Sequence, residues 1–213
     1  MKHDSPIAHE GLPFIALFGA LTLLASVFLN SLLIAAVPLA ATLFSTWFFR
    51  NPERRVPGDE KMIVSPADGK VIRIDEDIHH ELLSGPCKKV SIFMSIFNVH
   101  VNRIPYSGKV SRIVYNPGLF ISANLDKASE QNERKSVLIL TDDGKEILTI
   151  QIAGLIARRI VCWVEEGDDL TRGERFGLIR FGSRLEVFLP METKLCVARG
   201  DKVQAGQTPI GTF

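Results

Sequence analysis

The stretch at residues 136–152, SVLILTDDGKEILTIQI, consists of two short apolar runs separated by a polar segment. Both runs are rich in β-branched residues, which favour strands. The Asp-Gly pair within TDDGKE tolerates the positive φ angles of a tight turn. The stretch therefore predicts two antiparallel strands joined by a hairpin.

Runs of the same kind recur on both sides of this hairpin. They are KVIRI (70–74), KKVSIFM (88–94), GKVSRIVY (108–115), RIVCWV (159–164), FGLIRF (176–181) and RLEVFL (184–189). Several alternate with period two, whereas the polar ANLDKASEQNER (123–134) reads as a loop or a short helix. Residues 57–213 are therefore predicted to form a mainly β domain, a compact antiparallel β-sandwich or partly open barrel.

The chain before this domain has a different composition. Residues 12–49 contain no charged residue and no histidine, and Asn30-Ser31 divides them into apolar runs at 12–29 and 32–49. A membrane-spanning helix needs about 20 apolar residues. The pattern predicts that residues 1–56 form a membrane-associated helical hairpin with a basic flank. A helical hairpin buried in a soluble core is the alternative reading.

The charges beside the two runs predict an orientation. Lys2 precedes them, and Arg50, Arg54 and Arg55 follow. Because positive flanks stay on the cytoplasmic side of a membrane, we expect the chain at the cell membrane with its main domain in the cytoplasm. The arginines would then face anionic lipid headgroups. Pro38 is compatible with a kinked spanning helix and with a re-entrant hairpin.

Charge and cysteine content disfavour several classes of protein. Lys+Arg number 25 against 24 Asp+Glu, a formal net charge of +1, which does not favour a nucleic-acid partner. Cys87, Cys162 and Cys196 are odd in number and widely spaced, so they are predicted to be reduced thiols. The sequence has no phosphate-binding glycine loop and no metal-ligand spacing.

Three polar residues among the predicted strands could carry chemistry. They are Asp68 in SPADGKV, His100 in FNVHVNRIP and Ser183 in FGSR. Each has an ordinary structural reading, as a turn aspartate, a hydrogen-bonded histidine and a bulge serine. Together they match the arrangement in which a histidine takes a hydroxyl proton and an aspartate orients its ring.

Ser183 is an unusual nucleophile for an external substrate. It lacks the G-x-S-x-G elbow, and the apolar residues around it in LIRFGSRLEVFLP (178–190) indicate a buried strand. A serine that attacks its own preceding peptide bond does not require the site to admit a large substrate. Gly182 would let that bond adopt the geometry for attack on the Gly182 carbonyl.

Five blocks of the chain carry a resemblance to a known family. FFRNPERRVP, SPADGKV, FNVHVNRIP, NLDKASEQNER and GLIRFGSRLEVFLP, in this order, resemble the short bacterial form of the phosphatidylserine decarboxylase proenzymes. The resemblance implies a pyruvoyl cofactor formed covalently from Ser183, when self-cleavage after Gly182 yields a β chain (1–182) and an α chain (183–213). It also implies that His100, oriented by Asp68, is the base.

The same resemblance implies a reaction and its partners. Phosphatidylserine, drawn from bilayer lipid, would be converted to phosphatidylethanolamine and CO2, and His100 would protonate the product carbon. Arg184 is a candidate for holding the substrate carboxylate or phosphate, with a solvent-exposed strand-edge arginine as the alternative. Arg134, in NER (132–134), is expected to be mainly structural, with a substrate contact as a second role.

The sequence departs from the longer members of the family and leaves alternatives open. Those members carry a histidine where this chain has Phe97, so His100 must serve without it. SPADGKV and VARGDKVQAGQTPIG also resemble the halves of a lipoyl- or biotinyl-like sandwich, so a membrane-anchored binding module is one alternative. A decarboxylase of a related serine-headgroup lipid is another. The oligomeric state stays open, a homo-oligomer included.

Overall fold

The computed structural model describes residues 3–28, 31–123, 128–155, 159–180 and 182–213. Expectations that involve Lys2, Asn30, Phe181 or residues 124–127 lie outside these ranges. The chain divides into two compact units, Met1–Glu53 and Arg54–Phe213.

The first unit contains the two predicted apolar helices. A 3₁₀ turn, His9–Gly11, leads into α1 (Leu12–Phe28), and α2 (Leu32–Phe48) follows. Ser31 caps α2, because its hydroxyl oxygen accepts the Ile34 N–H at 3.4 Å. The prediction of an apolar helical pair is thereby confirmed.

Both helices contain 17 residues and expose much of their apolar surface, and the 3₁₀ turn extends α1 at its start. Within the described residues, only His9–Phe28, with 20 residues, is long and apolar enough to cross a membrane, and Leu33–Phe48 is shorter. Val27, Phe28, Leu33 and Val37 are all exposed. Apolar surface of this kind marks a membrane or protein contact.

The described part of the second unit is built from strands and one short helix. The strands are β1 (Met62–Val64), β2 (Gly69–Ile78), β3 (Cys87–Met94), β4 (Val101–Arg103), β5 (Gly108–Asn116), β6 (Arg134–Leu140), β7 (Glu146–Ala153), β8 (Ile160–Cys162), β9 (Asp169–Leu170), β10 (Arg175–Ile179), β11 (Ser183–Pro190), β12 (Lys194–Leu195), β13 (Lys202–Val203) and β14 (Pro209–Thr212); the helix is α3 (Ala128–Gln131). Strand makes up 39% of the structure against 20% helix. The prediction of a mainly β fold is confirmed.

The largest sheet is antiparallel and curls into a half-barrel. Among the described residues its order is β13-β2-β3-β11-β7-β6-β5-β9, and two small sheets have the orders β1-β14-β12 and β4-β10-β8. The predicted hairpin joins β6 to β7, with Leu140 opposite Glu146. Gly144 in its turn has φ +80°, the left-handed geometry that the Asp-Gly pair indicated.

The central strand β11 lies between β3 and β7 and separates two layers of side chains. Alternation along a strand sends Leu185, Val187 and Leu189 to one face, here called the inner face, where they join the main apolar core. Phe188 points to the other, here called the outer face, with Leu148 and Ile150. Full burial of each such side chain contributes about 1.5–3 kcal/mol.

Candidate active site

The glycine–serine pair lies at the start of the central strand. Ser183 is the first residue of β11, opposite Met94 of β3 and Ala153 of β7, and it is fully buried. The alternation of β11 places its side chain on the inner face, with Leu185. Gly182 has φ +70°, a conformation that costs L residues free energy and that glycine adopts readily.

The Gly182 carbonyl lies against a second glycine. A Cβ added to Gly154 would lie 2.2 Å from the Gly182 oxygen and 3.0 Å from its carbonyl carbon. Because no side chain fits there, the end of β7 can approach the Gly182–Ser183 peptide bond closely. Gly154 therefore shapes the space around the carbonyl that Ser183 would attack.

The Ser183 hydroxyl has a weak partner. Its Oγ donates to the Met94 thioether sulfur at 3.4 Å, and both residues are fully buried. Sulfur is a poor acceptor compared with oxygen. The hydroxyl is thus held in the site by a weak hydrogen bond that costs little to break.

His100 presents an unprotonated nitrogen to the same place. The Gly182 N–H lies 3.3 Å from Nε2 of His100, and since an amide N–H can only donate, Nε2 is the acceptor. Nδ1 then carries the ring proton and donates to the Asn98 carbonyl at 3.0 Å. This network assigns the neutral tautomer whose lone pair points toward Gly182.

The turn before His100 holds the ring in this orientation. The Asn98 side-chain oxygen accepts the Ser95 N–H at 2.9 Å and the Ser95 hydroxyl at 2.8 Å. These two hydrogen bonds fix the turn and thereby the position of the Asn98 carbonyl, which accepts the hydrogen bond from the imidazole Nδ1–H. The His100 carbonyl in turn accepts the Ile179 N–H at 3.3 Å, which ties the histidine to β10.

Asp68 is buried and bound on both oxygens. Oδ2 accepts from an Arg54 Nη2–H at 2.9 Å, in an ion pair whose side chains are nearly covered. Oδ1 accepts the Ala205 N–H at 2.8 Å. The second Arg54 amino group donates to Gln207 Oε1 at 2.7 Å. Arg54 was expected to face lipid headgroups, and this expectation is wrong because Asp68 and Gln207 take its guanidinium.

Backbone hydrogen bonds bring the Asp68 turn to the His100 segment. The Arg103 N–H donates to the Pro66 carbonyl at 2.9 Å, and Pro66 and Arg103 stand close in sequence to Asp68 and His100 respectively. The structure thus gathers His100, Gly182 and Ser183 by direct contact or adjacency, and sets the Asp68 turn beside the strand that follows His100.

Arg184 lies on the outer face, opposite to the Ser183 side chain. It is almost fully buried, so the reading of a solvent-exposed strand-edge arginine is wrong. Its Nη1 lies 2.7 Å from the Ser129 hydroxyl and 3.5 Å from Glu186 Oε1. Glu186 Oε1 also accepts from Ser91 at 3.2 Å and from Ser129 at 2.7 Å. The result is a buried ion pair that fastens α3 to β11.

Residues of the NER segment occupy the same end of the sheet. Arg134 pairs with Ile152 across β6 and β7, and Ile152 pairs with Arg184. Asn132 is fully buried and donates to the carbonyls of Ile121 and Ala153 at 2.8 and 2.7 Å. These bonds give Asn132 a structural role. Substrate contacts of Arg134 and Arg184 stay predictions.

Sequence reasoning missed four contributors to the site. Met94 accepts the hydrogen bond of the Ser183 hydroxyl, and Gly154 lies against the Gly182 carbonyl. Asn98 accepts the hydrogen bond of the His100 ring, and Arg54 forms an ion pair with Asp68. Gly154 left a faint signal, because a glycine that ends an apolar strand often marks a close backbone approach. The other three partnerships depend on tertiary contacts.

Fold and site together define a β-rich domain in which a glycine–serine pair with a positive glycine φ lies beside a buried, neutral histidine. Residues 41–211 match the family model described as phosphatidylserine decarboxylase. The chain is 72% identical over its full length to the full-length phosphatidylserine decarboxylase proenzyme of Syntrophus aciditrophicus. It is 48% identical to that of Desulfotalea psychrophila (99% of this chain, 98% of the relative) and 49% identical to that of Rickettsia akari (97% and 90%). The chain belongs to the phosphatidylserine decarboxylase family.

Proposed function

We propose that this chain is a proenzyme that cuts itself between Gly182 and Ser183 and then decarboxylates phosphatidylserine to phosphatidylethanolamine. Family membership supports the reaction. The single structural observation that supports self-cleavage is the arrangement at Gly182, where His100 Nε2 lies 3.3 Å from the Gly182 nitrogen and the adjacent Ser183 hydroxyl donates to a thioether.

The first step is an attack within the chain. His100 takes the Ser183 hydroxyl proton, and Oγ bonds to the Gly182 carbonyl carbon. The carbon–nitrogen bond of that peptide then breaks, and His100 passes the proton to the departing nitrogen, which leaves an ester and a free Ser183 amine. Gly182 favours this step because its positive φ is available without a side-chain clash.

The second step removes the ester. A base takes the Ser183 α proton, the Cβ–Oγ bond breaks, and the β chain leaves with a Gly182 carboxylate. The dehydroalanine that remains tautomerises and is hydrolysed by one water to a pyruvoyl group and ammonia. The α chain, 183–213, would then begin with the cofactor. The enclosed position of Ser183 between β3 and β7 suits a small group such as pyruvoyl.

Asp68 and Arg54 support the histidine in this proposal. A carboxylate near an imidazole favours the protonated ring that forms during attack. Arg54, at 2.9 Å, favours the ionised form of Asp68 and holds the side chain in one position. In this proposal Asp68 contributes negative charge, while the Asn98 carbonyl fixes the tautomer and the orientation of the ring.

During turnover the pyruvoyl group supplies a carbonyl that binds the substrate amine and accepts the electrons released with CO2. His100 holds a proton at the site and delivers it to the carbon that lost the carboxylate. Burial of His100 and Ser183 limits competing protonation by bulk water. Arg184 and Arg134 remain candidates for contacts with the lipid headgroup.

The apolar helices place the enzyme at its substrate in this proposal. A two-chain phospholipid stays in the bilayer, so an anchored domain meets it at the membrane surface. We assign residues 1–53 to the cell membrane and the decarboxylase unit to the cytoplasmic side, where Arg50 and Arg55 would face anionic headgroups. A related serine-headgroup lipid would undergo the same chemistry, because no contact described above distinguishes lipid tails.

Intact mass measurement of the purified protein tests the proposal. We expect two chains split between Gly182 and Ser183, the smaller blocked to Edman sequencing by its pyruvoyl group. Ser183→Ala should give one uncut chain without decarboxylase activity. An active, uncut 213-residue chain would overturn self-cleavage, and a cut chain inactive on every serine-headgroup lipid would overturn the assigned reaction.

A further inference from the structure

Large apolar side chains are exposed close to the cleavage bond. In the described part of the second unit, Phe97 is 68% exposed, Leu155 62% and Leu119 58%. Exposed apolar residues that occur singly are ordinary. Three such residues at one end of one sheet, beside a site proposed for a lipid, form a surface that indicates an interaction site.

The strand register places two of them beside Ser183. Ser183 pairs with Met94 at the end of β3 and with Ala153 at the end of β7. Phe97 follows Met94 by three residues, and Leu155 follows Ala153 by two. Because both strands run antiparallel to β11, the segments that carry these two residues leave the sheet on the two sides of the start of β11.

Leu119 continues the row along the same edge. It forms a bridge with Asn132, and its carbonyl accepts the Glu133 N–H at 3.0 Å. Asn132 in turn donates to the Ala153 carbonyl at 2.7 Å. Leu119 therefore lies next to the β7 end that carries Leu155.

Two arginines accompany the apolar row. Arg159 is exposed and Arg180 is half-buried, and the Arg180 N–H donates to the Arg159 carbonyl at 3.3 Å. Arg180 follows Ile179, whose N–H donates to the His100 carbonyl. Positive side chains thus stand at the end of the molecule that holds the site, while Glu133 is the acidic neighbour beside Leu119.

We propose that Phe97, Leu119 and Leu155, with Arg159 and Arg180, form a rim that contacts the surface of an anionic phospholipid bilayer. The inference rests on the proposed function and adds a second membrane contact that surrounds the site itself. Apolar side chains enter the boundary between headgroups and acyl chains, and arginines pair with lipid phosphates at that depth. The rim shortens the path by which a headgroup leaves the bilayer for Ser183.

Comparison of two forms of the substrate tests the rim. Leu119→Asp/Leu155→Asp is assayed on vesicles of phosphatidylserine and phosphatidylcholine, and on a short-chain phosphatidylserine below its micelle concentration. We expect kcat/KM on vesicles to fall by about tenfold or more, since two apolar contacts with lipid are lost. Activity on the dissolved substrate and complete self-cleavage should be unchanged.

Leu140→Asp is the matched control. Leu140 is also an exposed leucine, 43%, but it lies at the opposite end of β6, paired with Glu146. Its vesicle activity should equal that of the unchanged protein. An equal loss in Leu140→Asp would indicate a general charge effect and would overturn the rim.

Further outcomes separate the rim from the function on which it rests. If the double variant keeps full vesicle activity, or loses activity equally on both substrates, the rim is wrong while the decarboxylase assignment stands. If light scattering in detergent shows that the double variant breaks a dimer of the unchanged protein, the surface joins two copies and the membrane assignment is wrong. If the unchanged protein acts on neither substrate, the proposed function itself fails.

Discussion

Ser183 and Arg184 are neighbours in β11, yet their surroundings are opposites. On the inner face Ser183 has a thioether acceptor at 3.4 Å, near a neutral imidazole. On the outer face Arg184 is fixed by Ser129 and Glu186 in a buried ion pair. Both residues are almost fully buried, so burial alone does not distinguish the position that is proposed to react from the structural one.

The difference lies in the strength of the partners. A buried charge needs an opposite charge and hydrogen bonds, and β11 supplies Arg184 with both. A serine that must leave its position and attack is better served by a weak partner, because little is lost when it moves. At the start of β11, the outer face therefore carries a structural ion pair, and the inner face carries the serine that is proposed to react.

The largest expected effect is on the rate of self-cleavage and concerns the residues near Ser183 on the inner face. His100→Ala removes the base and should slow self-cleavage by about 10²–10⁴-fold, followed as the appearance of the 31-residue α chain (213 − 182) on gels. His79→Ala, which removes an exposed histidine, should cleave normally. Cleavage of His100→Ala at the normal rate would show that another group is the base.

Substitution of the ion pair on the outer face should change the stability of the protein. Arg184→Met leaves the Glu186 carboxylate buried without its cation and should lower the free energy of unfolding by about 3–5 kcal/mol. Urea unfolding in the uncut Ser183→Ala protein measures this. Arg184→Met/Glu186→Met should regain most of the loss, because both charges are gone. A loss below about 1 kcal/mol in the single variant would contradict a tight pair.

The next prediction concerns the ion pair between Arg54 and Asp68. Arg54→Gln removes one charge-assisted hydrogen bond to Asp68 and should slow self-cleavage by roughly tenfold. Arg54→Lys should recover part of the rate because it keeps the charge. Arg55 is adjacent and exposed, so Arg55→Gln is the control and should cleave normally. Equal rates in the two glutamine variants would remove Arg54 from the site.

The smallest expected effect is on the pH dependence of stability and concerns His80. The centroid of its ring lies 4.8 Å from the centroid of the Phe188 ring on the outer face. Burial lowers the pKa of His80, against the opposing charges of Glu81 and Glu186. The unfolded chain therefore binds the proton more tightly, and stability should fall as the pH drops through the ordinary value of 6.5. His80→Asn should reduce this pH dependence in urea unfolding of Ser183→Ala. An unchanged dependence would exclude His80 as its source.

Much of the fold could be predicted because its signals are local. The Asp-Gly turn at residues 142–144 and the apolar runs around it predicted β6 and β7, and the charge-free residues 12–49 predicted α1 and α2. Short strands such as β9 and β12, with two residues each, left no periodic signal. Their hydrogen bonds depend on partners that are distant in the chain.

The candidate site could be predicted only in part. Ser183 and His100 were found because each is a polar residue inside an apolar strand pattern, and the resemblance joined them. The partners of Asp68 could not be found in this way, since Arg54 and Ala205 belong to other segments. The sequence suggested that Arg54 faces lipid, and only the folded chain shows its ion pair.

The amino-acid sequence by itself determined the β-rich class, the apolar helices and the glycine–serine pair at which the chain is proposed to cut itself. These follow from periodicity, composition and the identities of adjacent residues. The tertiary structure decided the tautomer of His100, the partner of Arg54 and the face on which Arg184 lies. Each of these depends on atoms brought together by strand register, because a hydrogen bond or ion pair is set by distance in space and not by distance along the chain.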